Sequence, residues 1–303
     1  MKKITLISLV LLLGTGVNAQ EYSGGATGLD FLKIGVGGRG AALGDAVVAD
    51  DNGVDASYWN PAGLVSAGSG VTLAHSRWLQ DIRNEFIATR FSGLGGALAL
   101  ALQVQTIGGI MVRNETPSQA PLATLDAYDL AFGLSYARRV SEQLEVGATI
   151  KMLNERILTR SANGYAFDLG FRYRMPALDK VRFGLSLNNL GRMSALREEN
   201  IALPTVLRFG VSAPSVYTGK AVVLNVNLAV NHYFRETTSL AGGVEAAVLK
   251  RYFLRFGYQT GLDSQGLTAG LGLNAGRYRL DYAYVPFSYN LGSTHRFSAG
   301  IAL

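Results

Sequence analysis

The chain has 303 residues, of which 48% are hydrophobic and only 17% are charged, whereas soluble globular chains carry about 25% charged residues. Cysteine is absent, which excludes disulfides, thiolate chemistry and lipid attachment through cysteine. The net charge of +6 is spread over scattered arginines and lysines, not over basic runs with interleaved aromatics, which argues against a nucleic-acid-binding surface.

The first predicted element is an export signal over residues 1–19. Lys2 and Lys3 form a positive start, residues 4–13 are mostly apolar, and residues 17–19 end in Ala19 before Gln20. This is the pattern of a secretory signal peptide. A membrane-spanning helix needs about 20 apolar residues, and neither this run nor any later one supplies them. A mature protein located in a membrane would therefore have to span it as a barrel.

Residues 20–68 form a second element, which lacks the alternation of the rest of the chain. It contains glycine-rich turns and the residues Phe31, Leu32, Gly35, Arg39, Gly44, Asp50, Asp51, Trp59, Asn60, Pro61 and Gly63. This set resembles the opening of the PorV/PorQ family of outer-membrane proteins, barrels related to the FadL long-chain fatty-acid channels. Asp45 directly follows Gly44 here, so the run before the acidic pair is shorter than in that family.

The resemblance implies that residues 20–68 fold into the lumen of a barrel as a hatch. Glycines allow close packing in a narrow lumen, and Asn60-Pro61 favours a turn. Arg39 and the Asp50-Asp51 pair would meet polar groups of the inner wall. Residues 35–40 also fit G-x-G-x-x-G, but a dinucleotide site needs a βαβ unit around that motif, and the chain has no such pattern.

The remaining residues, 69–303, alternate between apolar and polar side chains. Residues 220–234 are the clearest case, because five aliphatic residues alternate there with small residues and amides, as in a strand with two different faces. In residues 165–173, aromatics lie near both ends of the apolar face and Leu169 at its centre, as expected for a lipid face between two interfacial girdles. About fourteen segments alternate: 71–75, 86–91, 98–104, 128–136, 144–152, 165–173, 181–187, 207–211, 220–234, 240–248, 252–258, 267–273, 278–284 and 296–303.

These segments predict an all-β fold, a transmembrane antiparallel β-barrel of about 14 strands. If the strand at 71–75 runs outward, the short turns at 93–96, 140–143, 176–180 and 276–277 fall on the periplasmic side. The longer connections 108–125, 190–204 and 286–293 then fall outside, as in outer-membrane barrels. The alternative is a soluble sandwich or small barrel with its apolar face inward, which would need far more surface charge.

The C-terminal strand supports insertion into the bacterial outer membrane. Phe297, Ala299, Ile301 and Leu303 alternate back from the end of the chain. This arrangement resembles the terminal strand signal read by the outer-membrane assembly machinery, although many such signals end in phenylalanine. The predicted surroundings are outer-membrane lipid and lipopolysaccharide.

Charged residues of the strands fall on the face opposite the apolar one. A lysine or arginine on the lipid side costs about 2–4 kcal/mol at the midplane, so these residues are predicted to face the lumen and brace the barrel, with a selective ion path as the alternative. The set is Asp129, Glu145, Lys151, Asp168, Arg172, Arg174, Arg182, Arg208, Glu245, Arg255, Arg279, Asp281 and Arg296. The three histidines, His75, His232 and His295, have no metal-ligand spacing, so we predict no enzymatic activity, metal or cofactor.

Two functions remain open. The PorV/PorQ resemblance implies a partner of the type IX secretion system that shuttles cargo or attaches it to the surface. The FadL relationship implies a passive channel for hydrophobic small molecules such as fatty acids. Outer loop length helps to separate them, because cargo-binding members tend to need elaborate loops and only 108–125 is long here.

Overall fold

The computed structural model describes residues 26–50, 53–79, 82–113, 120–158, 160–178, 181–195, 201–261, 264 and 266–303. The predicted signal peptide and Asp51 lie outside these residues. Fourteen antiparallel strands form a closed barrel in which each strand pairs with its neighbours in the chain and the first pairs with the last. The predicted fold class is therefore confirmed.

The strands coincide with the predicted segments, usually extending beyond them. Their bounds are β1 Gly70–Arg77, β2 Arg83–Gly93, β3 Gly96–Val112, β4 Ala123–Arg139, β5 Leu144–Ile157, β6 Arg160–Arg174, β7 Arg182–Met193, β8 Val206–Thr218, β9 Val222–Tyr233, β10 Thr238–Val248, β11 Tyr252–Thr260, β12 Leu267–Ala275, β13 Tyr278–Pro286 and β14 Ser293–Ala302.

The largest difference concerns β3 and β4, which both have 17 residues. Their connection covers 113–122, not 108–125 as predicted. Gly108 and Gly109 interrupt the alternation, and the register between the two strands shifts there. Outside the hydrocarbon, outward side chains need not be apolar, so the pattern that marks a strand fades before the strand ends.

The two ends of the barrel differ in their connections. The turn end carries 94–95, 140–143, 175–181, 219–221, 249–251 and 276–277, and the loop end carries 78–82, 113–122, 158–159, 194–205, 234–237, 261–266 and 287–292. The predicted separation of short turns and long connections is confirmed, since the three long connections all lie at the loop end. Short turns face the periplasm in outer-membrane barrels, which assigns the turn end to that side.

The outer surface is apolar. On β6, Tyr165, Phe167, Leu169, Phe171 and Tyr173 are each 42–50% exposed, while the residues that alternate with them, at positions 166, 168, 170 and 172, are buried. Exposed tyrosines lie towards both ends of other strands, as in the girdles that flank a lipid-facing band. A closed barrel satisfies all its backbone hydrogen bonds within the bilayer. The protein is therefore a bacterial outer-membrane barrel.

The N-terminal segment, residues 26–50 and 53–69, precedes β1. It contains two 3₁₀ turns, Asp30–Lys33 and Pro61–Val65, and two short helices, α1 Gly38–Ala42 and α2 Ala56–Trp59. Within the described residues, no helix is long and apolar enough to cross a membrane.

Candidate functional site: the N-terminal segment and the inner wall

The N-terminal segment contacts the inner wall from one end of the barrel to the other. At the loop end, the amide of Gly28 donates to the carbonyl of Ala202 at 3.0 Å. At the turn end, Ser66 Oγ donates to Glu145 Oε1 at 3.1 Å. The segment thus runs from loop end to turn end before the chain enters β1.

Trp59 is the centre of the segment's own packing. Its indole Nε1 donates to the carbonyl of Val36 at 3.3 Å, and Tyr58 meets it edge to face at 4.9 Å. A Cβ at Gly35 would lie 2.5 Å from the ring, and one at Gly40 2.9 Å. Gly35 and Gly40, the outer glycines of the G-x-G-x-x-G pattern, therefore make room for an indole.

Asn60 joins the segment to β6. Its Oδ1 accepts from the amide of Ala62 at 3.1 Å, which caps the turn that begins at Pro61. Its Nδ2 donates to the carbonyls of Val48 at 2.9 Å and Phe171 at 3.1 Å. Both the oxygen and the nitrogen of the buried side-chain amide of Asn60 are therefore hydrogen-bonded. The backbone amide of Gly63 donates to the backbone carbonyl of Asn60 at 2.9 Å.

Glycines of the wall make room for the N-terminal segment. A Cβ at Gly170 would lie 2.2 Å from Asn60 Oδ1, and one at Gly257 2.2 Å from the amide nitrogen of Gly44. Sequence reasoning missed this set, although a glycine on the polar face of a strand signals close backbone approach. The glycines concerned lie on seven strands: Gly147, Gly170, Gly184, Gly210, Gly243, Gly257 and Gly270.

A chain of alternating charges crosses from the segment to the wall. Arg39 of the segment pairs with Asp50 and, at 3.2 Å, with Glu245 of β10. Asp50 also pairs with Arg182 of β7 at 3.1 Å. The series of ion pairs continues from Glu245 to β11 and β13. Glu245 pairs with Arg255 at 2.6 Å, Arg255 pairs with Asp281 at 2.8 Å, and Asp281 pairs with Arg279 at 2.8 Å.

These seven residues, here called the charged chain, lie in the half of the lumen near the turn end. Arg255 is fully buried, and Glu245 and Asp50 are 4% and 6% exposed. A buried charge is tolerated only when it is paired, and here each carboxylate contacts two arginines. Beside Arg39, Arg182 and Arg279 lies a polar cavity of about 270 Å³.

A second charged group lies at the mouth of the turn end. Glu145 accepts from Arg172 Nε at 2.6 Å and from Arg139 Nη2 at 2.8 Å. The adjoining cavity, of about 410 Å³, is also lined by Arg174. Arg174 is exposed and donates to the carbonyl of Glu142 at 2.9 Å, so it lies at the rim of the barrel rather than deep in the lumen.

Four more of the predicted lumen residues, Lys151, Asp168, Arg208 and Arg296, are buried, and Asp129 is partly buried. Asp168 is fully buried, pairs with Lys151 at 2.8 Å and accepts from the amide of Asn189 at 2.8 Å. Arg208 lies 5.6 Å from the ring centres of both Tyr58 and Trp59. Arg296 Nη1 donates to the carbonyl of Gly35 at 2.9 Å. Arg208 therefore contacts the aromatic rings of the segment, and Arg296 contacts its backbone at Gly35.

The contacts near the loop end are mainly apolar. Leu29, Phe31, Leu32 and Ile34 pack against wall residues that include Leu153, Met193 and Leu203. Full burial of a side chain such as Phe31 or Leu32 contributes about 1.5–3 kcal/mol. At the edge of this cluster, Lys33 Nζ pairs with Glu236 at 2.8 Å and with Asp30 at 2.8 Å. Burial alone would lower the pKa of Lys33, but its bonds to these carboxylates raise it.

The three histidines lie on different strands. His75 contacts Glu85 at 2.7 Å on the outer surface, His232 contacts Thr238 at 2.8 Å, and His295 contacts Tyr282 at 2.8 Å. Among the residues that the structure describes, no group of three or more His, Asp or Glu is arranged to hold a metal ion.

The fold is similar to that of known hydrocarbon channels. No protein-family model matches the chain, and no curated protein matches its sequence. The CymD monoaromatic hydrocarbon channel aligns with a TM-score of 0.57 over 89% of this chain and 98% of its own, at 14% identity. The Pseudomonas putida toluene transporter TodX gives 0.56 over 88% and 96%, at 11% identity. A Pseudomonas aeruginosa FadL homologue gives 0.55 over 89% and 99%, at 11% identity. At such identities the likeness establishes a FadL-like fold.

Proposed function

We propose that the protein is a channel for hydrophobic small molecules and that its N-terminal segment acts as a hatch. The observation that carries the proposal is the segment's contact with the inner wall at both ends of a FadL-like barrel. The similar structures include a monoaromatic hydrocarbon channel and a toluene transporter, which favours apolar solutes over ions.

The distribution of side chains supports an apolar solute entering from the loop end. Such a molecule first meets the cluster around Phe31, Leu32 and Met193. The charged chain beyond it would have to give up ion pairs for a solute that offers none in return. We therefore propose that the segment must move before a solute passes, and that its contacts determine how often it does.

Uptake by living cells tests the proposal. A strain that lacks the gene should take up labelled toluene or a labelled long-chain fatty acid more slowly than the same strain carrying the gene on a plasmid. Uptake of a small hydrophilic sugar, measured in parallel, controls for leakiness of the membrane. Equal uptake of both hydrophobic probes with and without the protein would contradict a channel role.

A disulfide should lock the segment and stop transport. A Cβ at Gly243 would lie 2.8 Å from Cβ of Leu43, compared with about 3.5–4.5 Å in a disulfide. Because Leu43→Cys removes side-chain volume, a shift of about 1 Å would allow the pair Leu43→Cys and Gly243→Cys to form the bond. The native chain has no cysteine, so no other pairing competes. We expect uptake to be low in oxidised cells and to recover on reduction, whereas Leu43→Cys alone should not respond to the oxidant.

The N-terminal motif favours a second candidate, the type IX secretion role implied by PorV/PorQ proteins. The motif residues Trp59, Asn60 and Arg39 all make contacts that hold the segment to itself or to the wall, so these contacts serve either function. Affinity purification from native membranes separates the two. Recovery of secretion subunits or cargo would favour secretion, and recovery of the barrel alone would count against it.

A further inference from the structure

The turn end carries a ring of exposed cations. Within the part of the chain that the structure describes, six of these cations form no ion pair with a carboxylate. Among the described residues of these turns, the exposed acidic side chain is that of Glu142. The six are Arg138, Arg174, Lys220, Lys250, Arg251 and Arg277. Like charges that lie close together raise the local potential and attract anions.

Outward-facing tyrosines accompany these cations. Arg251 lies 5.5 Å from the ring centre of Tyr252, and Arg277 lies 5.2 Å from that of Tyr278. Arg277 Nη2 also donates to the hydroxyl of Tyr278 at 3.0 Å. Both tyrosines face the lipid and are nearly half exposed. The two arginines are therefore held at the lipid-facing edge of the rim.

The two turns that carry these arginines are neighbours. Strand β11 follows one turn, β12 precedes the other, and the amide of Asn274 donates to the carbonyl of Arg251 at 2.8 Å. Lys250 lies beside Arg251, at the tip of the first turn. Lys250, Arg251 and Arg277 thus lie on two neighbouring turns, at the periplasmic side of Tyr252 and Tyr278.

The tip of the first turn has an unusual backbone. Leu249 and Lys250 both have positive φ, 52° and 56°, at positions where hairpins favour asparagine and glycine. This conformation is unfavourable for residues of this type. Leu249 is 66% exposed and directly precedes Lys250, Arg251 and Tyr252. An exposed aliphatic residue beside cations and an aromatic residue is typical of a surface that lies at a membrane interface.

We propose that Lys250, Arg251 and Arg277 form a site for the phosphate group of an anionic phospholipid in the periplasmic leaflet. The phosphodiester would contact the three cations, and its acyl chains would lie along Tyr252, Tyr278 and the aliphatic surface above them. A soluble acidic protein would also be attracted by the charges, but it would make no use of lipid-facing tyrosines or of Leu249.

Lipid retention measured by native mass spectrometry tests the site. The whole protein, extracted from vesicles of phosphatidylethanolamine and phosphatidylglycerol in equal amounts, should retain phosphatidylglycerol preferentially. Each lysine or arginine near an anionic surface contributes about fivefold in affinity. The triple variant Lys250→Gln, Arg251→Gln, Arg277→Gln should therefore lose at least about tenfold of that preference. The matched control Arg156→Gln, Arg160→Gln, Arg192→Gln removes three exposed cations from the loop end and should keep the preference.

Five further outcomes are decisive. High salt should weaken retention of phosphatidylglycerol by the wild type. This test does not depend on whether a variant folds. Displacement of the lipid by inorganic phosphate would overturn the proposal in favour of a site for soluble anions. Equal retention of both lipids by the wild type would also overturn the proposal, as would an unchanged preference in the triple variant. Capture of an acidic periplasmic protein, without any lipid preference, would point to a protein partner instead.

Discussion

Replacing Asp50 with asparagine should free the N-terminal segment while leaving the barrel closed. Asp50 is buried and neutralises both Arg39 and Arg182, which are partly buried. An amide of the same shape would leave Arg182 without its counter-charge and Arg39 with Glu245 alone. Breaking a buried ion pair from one side costs about 3–5 kcal/mol. Amide hydrogen exchange of residues 26–69 should therefore accelerate by about 100-fold or more, while exchange of the strands should hardly change.

An exposed ion pair provides the control for Asp50. His75 and Glu85 contact each other at 2.7 Å on the outer surface, with side chains about half exposed. Pairs of this kind contribute about 0–1 kcal/mol, so Glu85→Gln should not alter exchange of the segment. If Asp50→Asn also left exchange unchanged, the charged chain would not be what holds the segment in place.

The second large effect is expected from valine at Gly243. A Cβ there would lie 2.7 Å from the carbonyl oxygen of Leu43 and 2.8 Å from its Cβ, and the hydrogen-bonded wall cannot retreat. Overpacking a well-packed site costs about 1–3 kcal/mol, and the full side chain of valine adds two methyl groups to the clash. We expect Gly243→Val to displace the segment and to increase the conductance of the reconstituted barrel in single-channel recordings.

The neighbouring residue provides a matched control for Gly243. Gly242 lies on the same strand but faces outward, where a Cβ would meet the side chain of Leu228 at 3.3 Å and the carbonyl oxygen of Asn227 at 4.0 Å. Gly242→Val should fold, insert and conduct like the wild type, because it adds a β-branched residue to a lipid-facing strand. Equal conductance in both variants would show that the segment does not limit flow through the barrel.

The barrel could be predicted from sequence because its main signal is local. On β6 and β9 the environment alternates with every residue, since lipid lies on one side and the interior on the other. The phase of the alternation also placed charged residues such as Asp168 and Arg255 on the buried face. Where the outward residues leave the hydrocarbon, at the ends of β3 and β4, this signal stops and the predicted bounds were too short.

The contacts of the N-terminal segment could not be predicted in the same way. Arg39 pairs with Glu245 and Asn60 with Phe171, and no periodicity connects positions so far apart in the chain. The resemblance of the motif pointed to the lumen, but it did not give the partners. Gly243 and the other wall glycines carried the missing signal, because each marks a place where the segment comes close to the wall.

The path of the segment constrains the order of assembly. Helix α1 contacts residues that are made last: the amide of Gly38 donates to Ser298 of β14, and Thr268 of β12 donates to the carbonyl of Ala42. The residues synthesised first must therefore wait for the final hairpins before their docking is complete. Docking of α1 and closure of the ring by β1 and β14 are therefore linked, because Ser298 of β14 takes part in both.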